Sequence, residues 1–105
     1  MLYSPVFLKT ENELNKVLKK QKRTRSAAAV LFVSLWDKPS QTLLRKLRSL
    51  QTGQRGKALY VVDSFTMPHA FVIFKTTKLP HLIQFKKSGV QSDDYLSKVY
   101  EELGL

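Results

Sequence analysis

The sequence predicts a single α/β domain over residues 1–105, with helices on both faces of a central mixed sheet. Segments of strand character alternate with segments of helical periodicity, without internal repeats or low-complexity stretches. Residues 27–35 form an almost continuously apolar run, which is typical of a strand buried on both faces. The chain of 105 residues is 43% apolar, which suits one domain with its own core.

The first half of the chain predicts two strands, each followed by a helix. Residues 2–8 are a short extended segment, and Pro5 within it favours an edge strand. Thr10 precedes acidic residues and is expected to cap a first helix that runs to about residue 21. Residues 30–35 are predicted to be the middle strand of the sheet. Pro39 fits the first turn of a second helix. Its inward-facing residues recur at helical spacing: Leu43, Leu44, Leu47 and Leu50.

The second half continues the alternation. Residues 58–63 predict a buried strand, and residues 79–85 predict a further strand that a proline opens. Between them, Ser64 or Thr66 is expected to cap a short helix that begins near Pro68. Most of that helix is expected to belong to the core, through Phe71, Val72, Ile73 and Phe74.

The end of the chain predicts a turn and a last helix. Residues 86–89 have the composition of a turn. Ser92 is expected to cap the final helix, with Asp93 and Asp94 in its first turn. The apolar residues at helical spacing there are Leu96, Val99, Tyr100 and Leu103.

The charge of the chain favours negatively charged partners. Eighteen Lys and Arg against eight Asp and Glu give a net charge of +10, which attracts polyanions at long range. The candidate contacts to nucleic acid or an acidic partner are Lys19, Lys20, Lys22, Arg23, Arg25, Arg45, Lys46 and Arg48. The densest run, residues 19–25, is either a solvated helix end or a phosphate contact. No stacking platform of exposed aromatic residues accompanies it in the sequence, which argues against base-specific reading of a single strand.

Several classes of site are disfavoured by composition. The chain has no cysteine, which removes disulfides, thiolate nucleophiles and cysteine metal ligands together. His69 and His81 are the only histidines, with few acids near them, so a metal site is not expected. His81 directly follows Pro80 and is expected to line a surface groove there. No phosphate-binding glycine loop or dinucleotide motif is present, so no cofactor is expected.

The sequence predicts a cytoplasmic protein that does not insert into a membrane. The longest apolar run is interrupted by Ser34 and is shorter than the roughly 20 residues that a transmembrane helix needs. The first residues lack a basic segment, and Glu11 and Glu13 follow too soon for an acid-poor transit sequence.

The motif Trp36-Asp37-Lys38-Pro39-Ser40 joins the predicted middle strand to the second helix. It resembles the Trp-Cys-Gly-Pro-Cys motif of thioredoxins, with Asp37 and Ser40 in place of the two cysteines. The spacing of Pro68 and Pro80 also resembles the thioredoxin pattern. The resemblance covers nearly the whole chain and implies a three-layer thioredoxin-like fold in which the Leu79-Pro80 bond is cis.

The departures from that family all remove its chemistry. Leu31 stands where thioredoxins have a buried acid, and Val61 stands near the position of its lysine partner. The resemblance therefore implies a redox-inactive member. It also implies a shortened last edge strand, near residues 89–91, because few residues remain after Phe85.

Asp37 has a simple physical role in this setting. A carboxylate at a helix N-terminus is stabilised by the free N–H groups and by the helix dipole, so Asp37 is expected to be a cap. Ser40 has no histidine close in sequence to activate it, which argues against a nucleophile. The chain is thus not expected to be an enzyme; glutathione transfer would need a second helical domain or an activating residue.

The resemblance also indicates where a partner would bind. The matching tryptophan of thioredoxins lies on their binding surface, so Trp36 is expected to be exposed. The predicted protein-binding surface consists of Trp36, Asp37, Lys38, Pro39, Ser40, Lys78, Leu79 and Pro80. We therefore expect a non-catalytic binding module or accessory subunit that holds another protein of unknown identity. The alternative is a basic, nucleic-acid-associated component of a nucleoprotein, polymerase or ribosomal assembly.

Overall fold

The computed structural model describes residues 3–24, 27–49, 57–76, 78–85 and 91–103. Strands and helices alternate along most of these residues. In chain order the elements are β1 (Tyr3–Phe7), α1 (Glu11–Thr24), β2 (Ala28–Val33), α2 (Lys38–Ser49), β3 (Lys57–Asp63), α3 (Pro68–Ile73), β4 (His81–Phe85), β5 (Gln91–Tyr95) and α4 (Ser97–Leu103).

The strands of the described part form one mixed sheet in the order β1-β3-β2-β4-β5. The pairs β1 with β3 and β2 with β3 are parallel, whereas β4 is antiparallel to both β2 and β5. The prediction that β2 is the middle strand and β1 an edge strand is confirmed. Leu50 and the predicted turn at residues 86–89 lie outside the described residues.

Helices cover both faces of this sheet. On one face, Leu31 and its alternate neighbours in β2 pack against residues of α2 and α4 such as Leu43 and Val99. On the other face, Phe32 packs in a second core with residues of α1 and α3 such as Leu14 and Ala70. Successive β2 side chains point to opposite faces, so the continuous apolar run is needed for two cores. The predicted three-layer α/β architecture is confirmed.

The start of α1 follows the predicted capping pattern. The Thr10 Oγ1 accepts a hydrogen bond from the Glu13 N–H at 3.2 Å, and the Glu13 carboxylate accepts one from the Lys9 N–H at 3.1 Å. The first bond satisfies a backbone donor that the first helical turn leaves free, and the second ties the residue before the cap to the helix.

The third helix differs from the prediction. Met67, rather than Ser64 or Thr66, is its N-cap residue, and no side chain caps it. Val72 and Ile73 are exposed, at 72% and 60%. A helix of six residues turns only one narrow stripe toward the core, and that stripe is Met67, Ala70, Phe71 and Phe74.

The end of the chain also differs from the prediction. Ser92 does not cap a helix, because residues 91–95 form β5 along the full length of β4, and α4 begins only at Ser97. Cross-strand contacts with β4 favour the extended conformation here over the helix that the two acids suggested. Of the short edge strand predicted near residues 89–91, Gln91 begins β5, and residues 89 and 90 lie outside the described residues. Within the described residues, no helix is long and apolar enough to cross a membrane.

Candidate functional site

The sheet topology brings the two predicted contact segments to the same edge. Because β4 is antiparallel to β2 and His81 pairs with Phe32, the residues after β2 and those before β4 meet there. The carboxyl ends of β2 and β3 also meet at this edge, which we call the Trp36 end of the sheet.

Asp37 caps the helix that follows β2. Its Oδ2 accepts hydrogen bonds from the Ser40 backbone N–H at 3.0 Å and from the Ser40 hydroxyl at 2.8 Å. The Asp37 carbonyl accepts a further bond from the Gln41 N–H at 2.9 Å. The capping interpretation of Asp37 is confirmed. Ser40 is fully buried, and its hydroxyl donates a hydrogen bond to the Asp37 carboxylate. Ser40 therefore supports the helix start rather than facing a substrate.

The predicted binding residues divide into a surface group and a supporting group. Trp36 is 83% exposed, as expected. Lys38, Pro39 and Lys78 are also exposed, and Asp37 and Leu79 are half-buried. Pro80, which follows a cis peptide bond, and Ser40 are buried. The side chains of these two cannot meet a partner directly and instead hold the neighbouring residues in place.

The structure exposes three further apolar residues at this end, although the sequence predicted Leu35 within the middle strand and Leu96 within the last helix. Leu35 and Phe65 are 49% and 71% exposed and directly follow β2 and β3. Leu96 is 46% exposed and follows β5, and its N–H donates to the Pro80 carbonyl at 3.0 Å. Each of these residues lies just after a strand that ends at the Trp36 end. An apolar residue directly after a predicted strand is a pattern that can be found in the sequence and that would have pointed to this surface.

His81 lies in the core rather than in a surface groove. Its Nδ1 is 2.9 Å from the Thr76 Oγ1 and its Nε2 is 2.9 Å from an Asp93 carboxylate oxygen. The ring stacks on Phe32 and Tyr95, with centroids 5.5 and 4.3 Å away. The prediction of a groove position is wrong because the sequence does not show that two polar partners and two rings surround this histidine.

The Thr76 hydroxyl, the His81 imidazole and the Asp93 carboxylate follow one another as the nucleophile, base and acid do in a catalytic triad. Here the imidazole is fully buried and both ring nitrogens are engaged. The arrangement joins the α3–β4 connection to β4 and β5, and so positions the residues next to Pro80. Among the residues that the structure describes, no three His, Cys, Asp or Glu side chains cluster to hold a metal ion.

The two residues that the sequence resemblance assigns to the thioredoxin acid and, approximately, to its lysine partner are apolar. Leu31 and Val61 are directly paired across β2 and β3, and both are buried. Neither side chain can carry a proton to the Trp36 end. Nearby, Asp63 is half-buried and its Oδ1 has no hydrogen-bond partner among the described residues.

The structure does not bring the predicted basic contacts into one patch. The cations of α1 and those of α2 lie on helices that cover opposite faces of the sheet. Lys46 lies over the ring of Tyr100 and Arg48 over that of Phe7, with distances of 5.1 and 5.7 Å to the ring centroids. Arg25 lies outside the described residues.

The outward face of α1 carries its own basic stripe. Lys16, Lys19, Lys20 and Arg23 are exposed and spaced so that they share one side of the helix. Within the described residues the only ion pair joins His81 and Asp93, so this stripe has no acidic partner there.

Comparison with known proteins identifies the fold. No family model matches the sequence, and no curated protein matches it. Solved thioredoxin structures do match. The thioredoxin from Nicotiana alata has a TM-score of 0.76 at 10% identity, covering 98% of this chain and 92% of that chain.

Two thioredoxins of Arabidopsis thaliana match to a similar extent. Thioredoxin O1 has a TM-score of 0.74 at 19% identity, covering 95% of this chain and 97% of its own. Thioredoxin O2 has a TM-score of 0.72 at 25% identity, covering 95% and 94%. The match extends over nearly the whole of each chain, whereas this sequence has no cysteine at all. The chain is therefore thioredoxin-like in fold and lacks the cysteines on which thioredoxin redox chemistry depends.

Proposed function

We propose that this protein is a non-catalytic binding module that holds an apolar segment of another protein at the Trp36 end. The observation that carries the proposal is the 83% exposure of Trp36 at an end where Leu35, Phe65 and Leu96 are also exposed. Single exposed apolar residues are ordinary, but several at one end of a domain indicate an interaction site.

The chemistry of this end suits an aromatic or aliphatic segment. A large, exposed indole is the kind of side chain that contributes most to binding when a partner covers it. Buried Pro80 and Ser40 and the capped helix start give it a rigid surround. Lys38 and Lys78 lie at the rim, where they favour acidic residues flanking the apolar segment.

No thiol chemistry takes part in this proposal, because the chain has no cysteine. Asp37 and Ser40 bond to each other where the two sulfurs of a thioredoxin stand. The end of the domain that carries out redox exchange in thioredoxins thus serves here for contact alone.

The chain contains a built-in reporter for this site, since Trp36 is its only tryptophan. Short peptides from an array that varies apolar residues would be titrated into the protein while tryptophan emission is recorded. A peptide that covers the ring should shift the emission to shorter wavelength. We expect Phe65→Ala to weaken such binding by about tenfold, since removing a central apolar contact commonly has this effect.

Val72→Ala is the matched control, because Val72 is 72% exposed and lies on α3. It should leave peptide affinity unchanged. Peptides that bind without a shift in Trp36 emission, and equally well to Phe65→Ala, would overturn the proposal.

A further inference from the structure

A second candidate surface lies along α1. A groove of about 320 Å³ lies between the second half of α1 on one side and Phe74, the end of β4 and the start of β5 on the other. Its lining residues include the half-buried Phe74 and Phe85, the cationic Lys19 and Lys22, and the amide residues Gln21 and Gln91.

This groove lies on the face of the sheet that α1 and α3 cover, and it extends from Phe74, whose ring packs on Phe32, to Phe85 at the end of the sheet opposite Trp36. Phe85 pairs with Ala28 at the start of β2, whereas Trp36 comes after the end of β2 at Val33. The strand between them is roughly 17 Å long at about 3.3 Å per residue. The Phe85 part of the groove is therefore remote from Trp36, and none of the lining residues belongs to the proposed protein-binding surface.

A ligand in the groove needs polar groups that can hydrogen-bond to the side chain of Gln21. The residue is only 8% exposed, yet the side-chain amide makes no hydrogen bond to any described residue. An amide has both donor and acceptor groups, and leaving them unpaired when a ligand excludes water is costly. A hydrocarbon chain would leave them unpaired, whereas the edge of a nucleobase offers acceptors and donors in return.

The charges around the groove are those that phosphates require. Lys19 belongs both to the groove and to the exposed stripe formed with Lys16, Lys20 and Arg23. A neighbouring cavity of about 210 Å³ continues along α1 toward Glu11, whose carboxylate repels phosphate. A polyanion is thereby directed to the end near Lys22.

We propose that this groove binds single-stranded nucleic acid, with bases against Phe74 and Phe85 and phosphates on Lys19 and Lys22. Aromatic rings beside a basic track are the usual means of holding a single strand without strict sequence preference. The sequence alone argued against such a platform. Phe74 and Phe85 are distant from the basic run along the chain, and only the packing of α1 beside α3 and β4 brings them together.

The test compares labelled oligothymidylate of about ten nucleotides with an abasic strand of equal length, by fluorescence anisotropy at several salt concentrations. We expect the abasic strand to bind at least several-fold more weakly. Phe85→Leu keeps an apolar side chain but removes the stacking surface, and should weaken oligothymidylate binding by about tenfold.

Two double variants of equal net charge test the position of the phosphates. Lys19→Gln with Lys22→Gln removes the groove cations, whereas Lys9→Gln with Lys98→Gln removes two exposed cations outside the groove, one before α1 and one on α4. The first should reduce the slope of log affinity against log salt by about 1.4, from about 0.7 for each phosphate contact on a single strand. The second should change that slope much less.

Three results would overturn the proposal. One is equal affinity for the abasic strand and oligothymidylate, which would indicate attraction by charge alone. Another is an equal effect of the two double variants, and the third is full competition by an acidic polypeptide such as polyglutamate. Circular dichroism of each variant confirms that the fold is retained.

Discussion

Asp37 and Ser40 stabilise the start of a helix at the two positions where thioredoxins have their cysteines, and they do so without thiol chemistry. A thiolate at the first turn of a helix is stabilised by the free N–H groups and the helix dipole. The Asp37 carboxylate uses the same environment and accepts both the N–H and the hydroxyl of Ser40. The helix start is therefore satisfied without sulfur.

Replacing Asp37 should weaken this helix start. We expect Asp37→Ala to reduce the free energy of unfolding by about 0.5–2 kcal/mol, the usual effect of losing an N-cap side chain. Chemical denaturation measures it. Asp37→Asn is the control, because asparagine is an equally good cap and should retain most of the stability. A loss as large in Asp37→Asn as in Asp37→Ala would contradict the capping role.

At the scale of elements, β5 is attached to β4 by more than its backbone ladder. His81 pairs with Tyr95 across the two strands, and its ring stacks on that tyrosine. Its Nε2 contacts Asp93, which is a diagonal neighbour on the same face of the pair. The edge strand and the residues beside Pro80 are thus linked through one buried ring.

Removing the carboxylate partner of His81 should loosen the β4–β5 pair. Asp93→Ala leaves a ring nitrogen of a fully buried histidine without its partner, so we expect a loss of about 1–3 kcal/mol in unfolding free energy. Asp94→Ala, a change of the same type at the next residue of β5, should stay within about 0.5 kcal/mol. Thermal unfolding compares the two, and equal losses would show that His81 does not depend on Asp93.

The whole molecule has two distinct ends. The Trp36 end carries exposed apolar residues and a buried proline, and the groove beside α1, with its lysines, extends to the far end of the same sheet. The net charge of +10 attracts polyanions to the molecule in general. We expect the placement of aromatic rings and exposed cations to decide which end each kind of partner binds.

Separate ends should give separate signals. Oligothymidylate at saturating concentration is expected to leave Trp36 emission unchanged, since Trp36 does not line the groove and Phe85 lies at the opposite end of β2. In a variant with Trp36→Phe and Phe85→Trp, the reporter lies in the groove, and its emission should be quenched by the stacked bases. Quenching of Trp36 in the unaltered chain, with the same midpoint as the anisotropy change, would place the strand at the Trp36 end instead.

Much of the fold follows from local patterns in the sequence. The apolar run at residues 27–35 predicts a central strand because it is short, rich in β-branched and aromatic residues, and apolar on both faces. Pro39 after Asp37 predicts a helix start, and the Trp36 motif predicts which end is exposed. These features depend on neighbours within a few residues, so the sequence alone determines them, together with the absence of thiol chemistry.

Only the tertiary structure decided where distant residues meet. Residues 91–95 become a strand because β4 offers them a partner, against the local preference of Ser92 and its acids for a helix start. His81 is buried because Thr76, Asp93 and two rings converge on it from separate elements. The groove beside Lys19 exists for the same reason: side-chain contacts between residues far apart in the chain depend on packing, which local periodicity does not specify.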